Sequence, residues 1–538
     1  MQINLTKKNF TIYAVNLINS VLAAFAYIYF QRNLLSEGRN LEPIFSTQRI
    51  IIFIGMSICI FLIFLICSLG ENRRKFEVFI EKLGRHPIFT VVVLAAIFRT
   101  WYSSHYNPYT IYYDTGTYTD YNYNILLGET DIFRTPGYPY FLKLIHLITG
   151  NFENDVWFHQ QVSIVQSVMS LASIVILYCA GRKLFNNKYV LSAAALIYGI
   201  APSAFSWDFC TLTESLSLFI TVVLIYLVFS YLAKPKMYKA IILGLYCFLM
   251  IMVRPTFIYL CAVLAVFFIA RFIFCAKERK KAVAGLISVG VCISLIFGYC
   301  GLNLKNYDYF KISSVSNTVN NLFIVMINGW YINEDYPELS NHIDNSIRIY
   351  EDGNWISDIV EVVPEYFSYK EIDEYVTSCI DKNKDEYINY TVDKALGLMN
   401  VSVGTQYIVS PDEDDGFSDV SNVIMSITFP FTFLACLCLV GLGLIFALIA
   451  LIVKKRICWQ VIGLCAIIFS HIFVSVYGSM AEFERLCAMI IPVVILLTAY
   501  FFDYVISAFV KSKVFHFDDN NSSAIKIKNK TNLKESDL

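Results

Sequence analysis

The residues best suited to chemistry lie in one polar, aromatic stretch between Tyr109 and Phe141. Asp114 stands there among tyrosines and threonines, and a carboxylate so placed can take a proton from a hydroxyl. Tyr118, Asn122, Ile125 and Leu126 follow at helical spacing. This predicts a helix lying along a membrane surface, with Asp114 at or just before its N-terminus. A helix N-cap is the other reading of Asp114, and Thr117 competes for that job. Asp120 is the nearest second carboxylate. Then comes Arg134-Thr135-Pro136-Gly137-Tyr138-Pro139. Two prolines fix φ and Gly137 supplies freedom between them, so the turn can hold a guanidinium at headgroup depth. A planar, permanently charged donor suits a phosphate; an arginine merely anchored among headgroups is the alternative.

Other charged groups recur at the ends of apolar runs. Thr211-x-x-Glu214 reads both as a capping box and as a site acid. Arg254, followed by Pro255 at a first helical position, either snorkels or binds phosphate. Glu484-Arg485 opens the last apolar run, and Arg485 can pair with Glu482 or Glu484. Arg99 reads as a snorkelling anchor. The seven histidines show no HExxH or paired spacing, which argues against zinc hydrolysis. No Walker A motif and no GxGxxG after a strand occur, which argues against a nucleotide-driven reaction.

These groups must be positioned by membrane helices. Of 538 residues, 57% are apolar and only 16% are charged, below the quarter usual in soluble domains. Aromatics at 16% exclude a disordered chain, and a net charge of −1 disfavours nucleic acid as a partner. The composition predicts an all-α polytopic membrane protein. About twelve apolar segments approach spanning length, near 10–30, 49–69, 88–104, 156–180, 189–206, 212–232, 238–254, 256–274, 283–303, 422–452, 458–477 and 486–509. Lys/Arg clusters mark every other loop, placing both termini in the cytoplasm. The expected organisation is an N-terminal transmembrane pair (1–87), a membrane core (88–304), an extracytoplasmic and mostly helical domain (305–421), C-terminal spans (422–510) and a disordered tail (511–538). The core contains the first outer loop, 105–155. The outer domain is acidic, with 22 Asp/Glu against 7 Lys/Arg. Within it Ile372, Tyr375, Val376, Cys379 and Ile380, then Ile388, Thr391, Val392, Ala395 and Leu396, predict one apolar face. The 15 cysteines are scattered with no CxxC pair, and read as small hydrophobes in helix packing rather than as metal ligands.

The layout around Asp114 resembles the first outer loop of the GT-C glycosyltransferases: an Asp, a Tyr four residues on, a helix ending in Gly, then Arg134 to Pro139 and an apolar helix. The closest flavour is the protein O-mannosyltransferase and lipid A aminoarabinose transferase superfamily, in its bacterial cell-envelope branch. Similar passages follow in order: Gln160-Gln161, Thr211 to Glu214, Arg254-Pro255, Asn303 to Ser316, Tyr387 to Met399 with Lys394, and Glu484-Arg485. Thr115 stands where the family often has a second acid, and Leu486 replaces its Tyr. The resemblance implies a GT-C-like core in the bacterial plasma membrane with its site facing outward. It implies sugar transfer from a polyprenyl-phosphate donor to a glycan, lipid or protein acceptor. Asp114 is the expected general base, and Arg134, Arg254 and Arg485 the donor-phosphate ligands. Tyr118, Asp120, Tyr138, Glu214 and Glu484 are expected in support. No cofactor is demanded, and a divalent metal is left open. A polytopic envelope-polysaccharide polymerase or transporter is the rival reading.

Overall fold

The computed structural model describes residues 87–103, 113–149, 156–185, 187–349, 363–403, 427–478 and 483–517, with four isolated positions (54, 58, 424 and 425). The segments expected at 10–30 and 49–69 and the tail beyond 517 lie outside the described residues. Among those described, no strand forms, and one isolated bridge joins Ser402 to Thr432. The remaining apolar segments fall on helices, except that 189–206 is divided between two helices bent by 59° and 422–452 forms its long helix only from Phe433. Seven helices are long and apolar enough to cross a membrane: Trp157–Gly181, Thr213–Ala233, Pro255–Phe274, Ala276–Tyr307, Phe433–Val453, Trp459–Gly478 and Cys487–Ser507. A bent pair, Lys188–Ile200 with Pro202–Phe209, makes an eighth if counted as one span. Pro87–Ser103 and Met237–Val253 are apolar but shorter.

In chain order, α1 is Pro87–Ser103, α2 Tyr113–Thr119, α3 Gly137–Thr149, α4 Val156–Gly181, α5 Lys188–Ile200, α6 Pro202–Phe205, α7 Thr213–Ala233 and α8 Met237–Val253. Then follow α9 Tyr259–Phe274, α10 Arg279–Tyr307, α11 Asn320–Ile327, α12 Pro337–Ile349, α13 Tyr369–Lys382 and α14 Lys384–Gly397. The last are α15 Phe433–Lys454, α16 Trp459–Gly478, α17 Phe483–Leu486 and α18 Ile491–Phe517. In a membrane, helices associate by close packing at small residues rather than by hydrophobicity. A Cβ at Gly244 of α8 would come within 2.4 Å of Ser288 Oγ on α10, and that hydroxyl donates to Ile241 O at 2.7 Å. The two helices therefore touch almost backbone to backbone.

A second apolar core lies between residues 319 and 380. Leu322, Val325 and Met326 of α11 meet Ile343 of α12 and Ile372, Tyr375, Val376 and Cys379 of α13, as the spacing of α13 predicts. The face expected on α14 behaves differently: Ile388 is 49% exposed, Val392 50% and Leu396 63%. That row does not join the domain core, because α14 lies outside it on the way back to the spans.

The segment expected as the first outer loop also departs from expectation. Its helix stops at Thr119, and only a short 3-10 turn, Ile125–Leu127, follows. Thr117 Oγ1 donates to Asp114 O at 2.7 Å, Thr119 Oγ1 to Gly116 O at 3.2 Å, and Asn124 Oδ1 accepts from Leu126 N at 3.1 Å. Such side chains offer the backbone partners that compete with helix continuation.

Candidate active site

Asp114 is the second residue of α2, where a carboxylate is favoured by the helix dipole. Its Oδ1 accepts from Arg134 Nη2 at 2.7 Å and its Oδ2 from Arg485 Nη2 at 3.2 Å. Arg485, on the short helix α17, also donates from Nε to Glu214 Oε1 at 2.6 Å. Arg254 donates from Nη1 to the same oxygen at 3.0 Å. Five residues separated by up to 371 positions therefore form one chain, Arg134–Asp114–Arg485–Glu214–Arg254. Among the described residues, three guanidiniums share two carboxylates in this chain, and Asp131 also lies close enough to act on Arg134. Exposure is graded along it: the Glu214 side chain is fully buried, those of Arg254 and Arg485 nearly so, and that of Asp114 is 38% exposed.

Local structure explains each placement. Arg254 is the C-cap of α8, where its N–H donates to Met250 O and Pro255 prevents the helix from continuing. Glu214 lies in the first turn of α7, whose N-cap is Leu212 with no side-chain capping bond. The capping-box reading of Thr211 and Glu214 is thus corrected: the helix starts at Thr213, one register too late, and the carboxylate turns to the arginines. Gly137 opens α3 against the end of α8. A Cβ there would lie 2.6 Å from the Met252 and Val253 backbone, so only glycine lets the loop of Arg134 approach the helix end that carries Arg254.

Arg134 is held on every side. Nε donates to Thr117 Oγ1 at 2.8 Å and Nη1 to Tyr118 OH at 3.2 Å. Its guanidinium carbon lies 4.5 Å from the Tyr118 ring centre and 5.0 Å from that of Phe133, a favourable cation–π arrangement. Tyr118 meets Tyr138 edge to face at 5.2 Å. Tyr138 OH donates to Gln166 Oε1 at 3.0 Å, and Gln166 Nε2 donates to the carbonyls of Asp208 and Cys210 at 3.2 and 2.8 Å. The Asn303 to Ser316 passage braces the same loop from above: Ser314 N donates to Ile132 O at 2.8 Å and Ser313 Oγ to Phe133 O at 2.7 Å. Sequence reasoning missed Gln166, which lies within an apolar run with no local signal.

The remaining expected residues fall elsewhere. Asp120 is exposed at the end of α2, where it accepts from Thr119 Oγ1 at 3.5 Å; among the described residues it makes no ion pair with the cluster. The Glu484 side chain lies outside the described residues. Arg99 is not a snorkelling anchor. It is buried, donating to Gly199 O at 2.7 Å and Ser170 Oγ at 2.8 Å and pairing with the equally buried Asp208 at 3.5 Å. Ser215 Oγ donates to the other Asp208 oxygen at 2.5 Å. The bend between α5 and α6 points this carboxylate inward, which offers Arg99 a protein partner instead of lipid headgroups.

Burial would raise the pKa of Asp114, but Arg134 and Arg485 outweigh it and hold the carboxyl below the usual range. The group is ionised at neutral pH and has both oxygens engaged. Among the described residues, the Asp114 oxygens face guanidiniums rather than a second carboxylate. Elsewhere, Cys247, Cys261 and Cys292 from α8, α9 and α10 bring their sulfurs within 4.8 Å of one another. They are buried in the span core; Cys247 stands seven positions before Arg254 and Cys261 seven after it.

The dolichyl-phosphate-mannose-protein mannosyltransferase family profile matches residues 134–297, the stretch from the loop arginine through Glu214 and Arg254. That segment, about a third of the chain, is similar to this glycosyltransferase family. No curated protein matches it. Among solved structures, the chain is similar to the archaeal oligosaccharyltransferase AglB from Archaeoglobus fulgidus in complex with an inhibitory peptide and a dolichol-phosphate. That similarity has 11% identity and a TM-score of 0.43, over 82% of this chain and 53% of the other. The Archaeoglobus fulgidus oligosaccharyltransferase tethered to an acceptor peptide is similar at 12% identity and TM-score 0.42, over 80% and 51% of the two chains. The chain thus spans about half the length of these structures.

Proposed function

We propose that the protein transfers a sugar, with inversion, from a polyprenyl-phosphate carrier to a cell-envelope acceptor at the outer face of the bacterial plasma membrane. The observation that carries this reading is the convergence of Asp114 with Arg134, Arg254 and Arg485 in one guanidinium-rich cluster. The donor phosphate is attracted by the guanidiniums, which bind it in forked pairs. Its oxygens compete with Asp114 for Arg134 and Arg485. As those arginines turn to the phosphate, Asp114 loses the partners that depress its pKa and becomes a stronger base. An acceptor hydroxyl gives its proton to Asp114, its oxygen bonds to the anomeric carbon, and the bond from that carbon to the phosphate oxygen breaks. The electron pair leaves with polyprenyl phosphate, where the guanidiniums stabilise growing charge.

No divalent metal takes part in this scheme. Chelation by EDTA is expected to leave the rate unchanged, and a rate restored only by added Mg²⁺ or Mn²⁺ would exclude it. The transporter reading needs ionisable groups in mid-span. Among the described residues, the ion pairs of the spans lie at helix ends instead, which favours surface chemistry. The test of function is to supply the purified protein with polyprenyl-phosphate sugars labelled at the anomeric carbon. Labelled acceptor of inverted configuration is expected; unchanged donor in the presence of envelope extract would refute the proposal.

A further inference from the structure

The outer domain carries an open cavity of about 660 Å³, away from the charged cluster but beside one of its helices. Trp330 and Tyr390 line it with half-buried rings, 6.4 Å apart and nearly perpendicular. Trp330 is fixed there by the end of α11. Gly329 takes a φ of +73°, its N–H donates to Met326 O at 3.1 Å, and the Trp330 N–H donates to Val325 O at 2.9 Å. This is a Schellman ending, which glycine permits at that position. The other walls are planar polar groups of both kinds, the amides of Asn328 and Asn389 and the carboxylates of Glu386 and Asp393. Lys394 completes the lining. Its ammonium lies 5.2 Å from the ring centre of Phe483, a buried residue two positions before Arg485 on α17. One side chain thus separates the cavity wall from the helix that joins Asp114 to Glu214.

We propose that this cavity binds a sugar unit of the acceptor, so that the acceptor is a glycan. The inference rests on the transferase reading above. An aromatic face covers the C–H face of a pyranose, while amides and carboxylates together meet hydroxyls that both donate and accept. A strongly anionic ligand is disfavoured by Glu386 and Asp393 on the walls. The contact of Lys394 with Phe483 links the cavity wall to the short helix that carries Arg485.

The test uses the full chain in detergent micelles and four free probes: maltotriose, cellotriose, mannotriose and N,N′-diacetylchitobiose. Saturation-transfer NMR needs no donor, so it judges the cavity separately from catalysis. At least one probe is expected to bind. Trp330→Ala should weaken that binding about tenfold, equivalent to losing about 1.4 kcal/mol of contact, while Trp330→Phe restores most of it. In transfer assays the loss should appear in the acceptor KM rather than in kcat. Should Trp330→Ala fail to fold, Asn389→Ala, an exposed position, carries the same test. Absence of binding by all four probes, or binding unaffected by both substitutions, overturns the proposal. Binding without any sugar transfer by the wild type would sink the transferase reading and leave the saccharide site standing.

Discussion

Two arginine–carboxylate assemblies sit within a few residues of each other, and they differ in stoichiometry and exposure. Arg99 and Asp208 pair one to one. Both are buried, and each Asp208 oxygen has a donor, from Ser215 and from Arg99. The cluster around Asp114 has three guanidiniums for two carboxylates and opens toward solvent at one end. The first is a closed account of charge inside the helix bundle. The second shares each carboxylate between two guanidiniums and leaves Asp114 partly exposed, which suits binding an anion and moving a proton. Sharing and exposure therefore separate a structural ion pair from a candidate site where residue type alone does not.

Substitutions can break this contrast or sharpen it. Asp114→Asn keeps the size and the half-exposed setting, so folding should be little changed while turnover falls by roughly 10²–10⁴-fold, the usual worth of a general base. Wild-type turnover in that variant, measured with labelled donor, would remove Asp114 from the chemistry. Glu214→Gln leaves Arg254 and Arg485 buried without their shared anion. A loss of about 3–5 kcal/mol in stability is expected, as for other broken buried pairs, seen as a lower midpoint of thermal unfolding.

The closed pair should respond in another way. Asp208→Leu alone should destabilise by a similar amount, about 3–5 kcal/mol, but adding Arg99→Met should recover most of it, because an apolar pair of similar volume can replace a buried ion pair. Stability and kcat of the double variant near wild-type values would support this. A double variant no better than the single one would show that Arg99 does more than pair.

The smallest effect is on pH dependence. Because Arg134 and Arg485 hold Asp114 below the ordinary value of about 3.9, the ion pairs are fully formed above that value. They are lost as pH falls through the lower folded value. The acid limb of kcat/KM for the free enzyme should therefore lie below pH about 3.9. Arg134→Gln removes one of the depressing charges, so the limb should move to higher pH. An unmoved limb would mean that another group controls it.

How much of this was legible in the sequence depends on what marks a residue locally. Asp114 stands in a polar, aromatic stretch, and Arg134, Arg254 and Arg485 stand at the end of an apolar run or in a proline-marked turn, so their types and places were readable. Their meeting was implied only by the resemblance. Arg99 occupies the same kind of place and was misread, because position along a span does not tell which face of the helix looks at lipid. Asp208 and Gln166 carry no signal: one lies past a bend that hydropathy runs through, the other within an apolar helix. Helical spacing after Thr119 failed because Thr and Asn side chains there bond the backbone and end the helix.

Gly137 has a consequence for temperature. Where α3 meets the end of α8, main chain rests on main chain, with no side chain between them to change its rotamer. The gap between the loop bearing Arg134 and the tip bearing Arg254 is then a fixed caliper. Warming should loosen the grip on a bound headgroup while leaving unchanged the size of headgroup that fits.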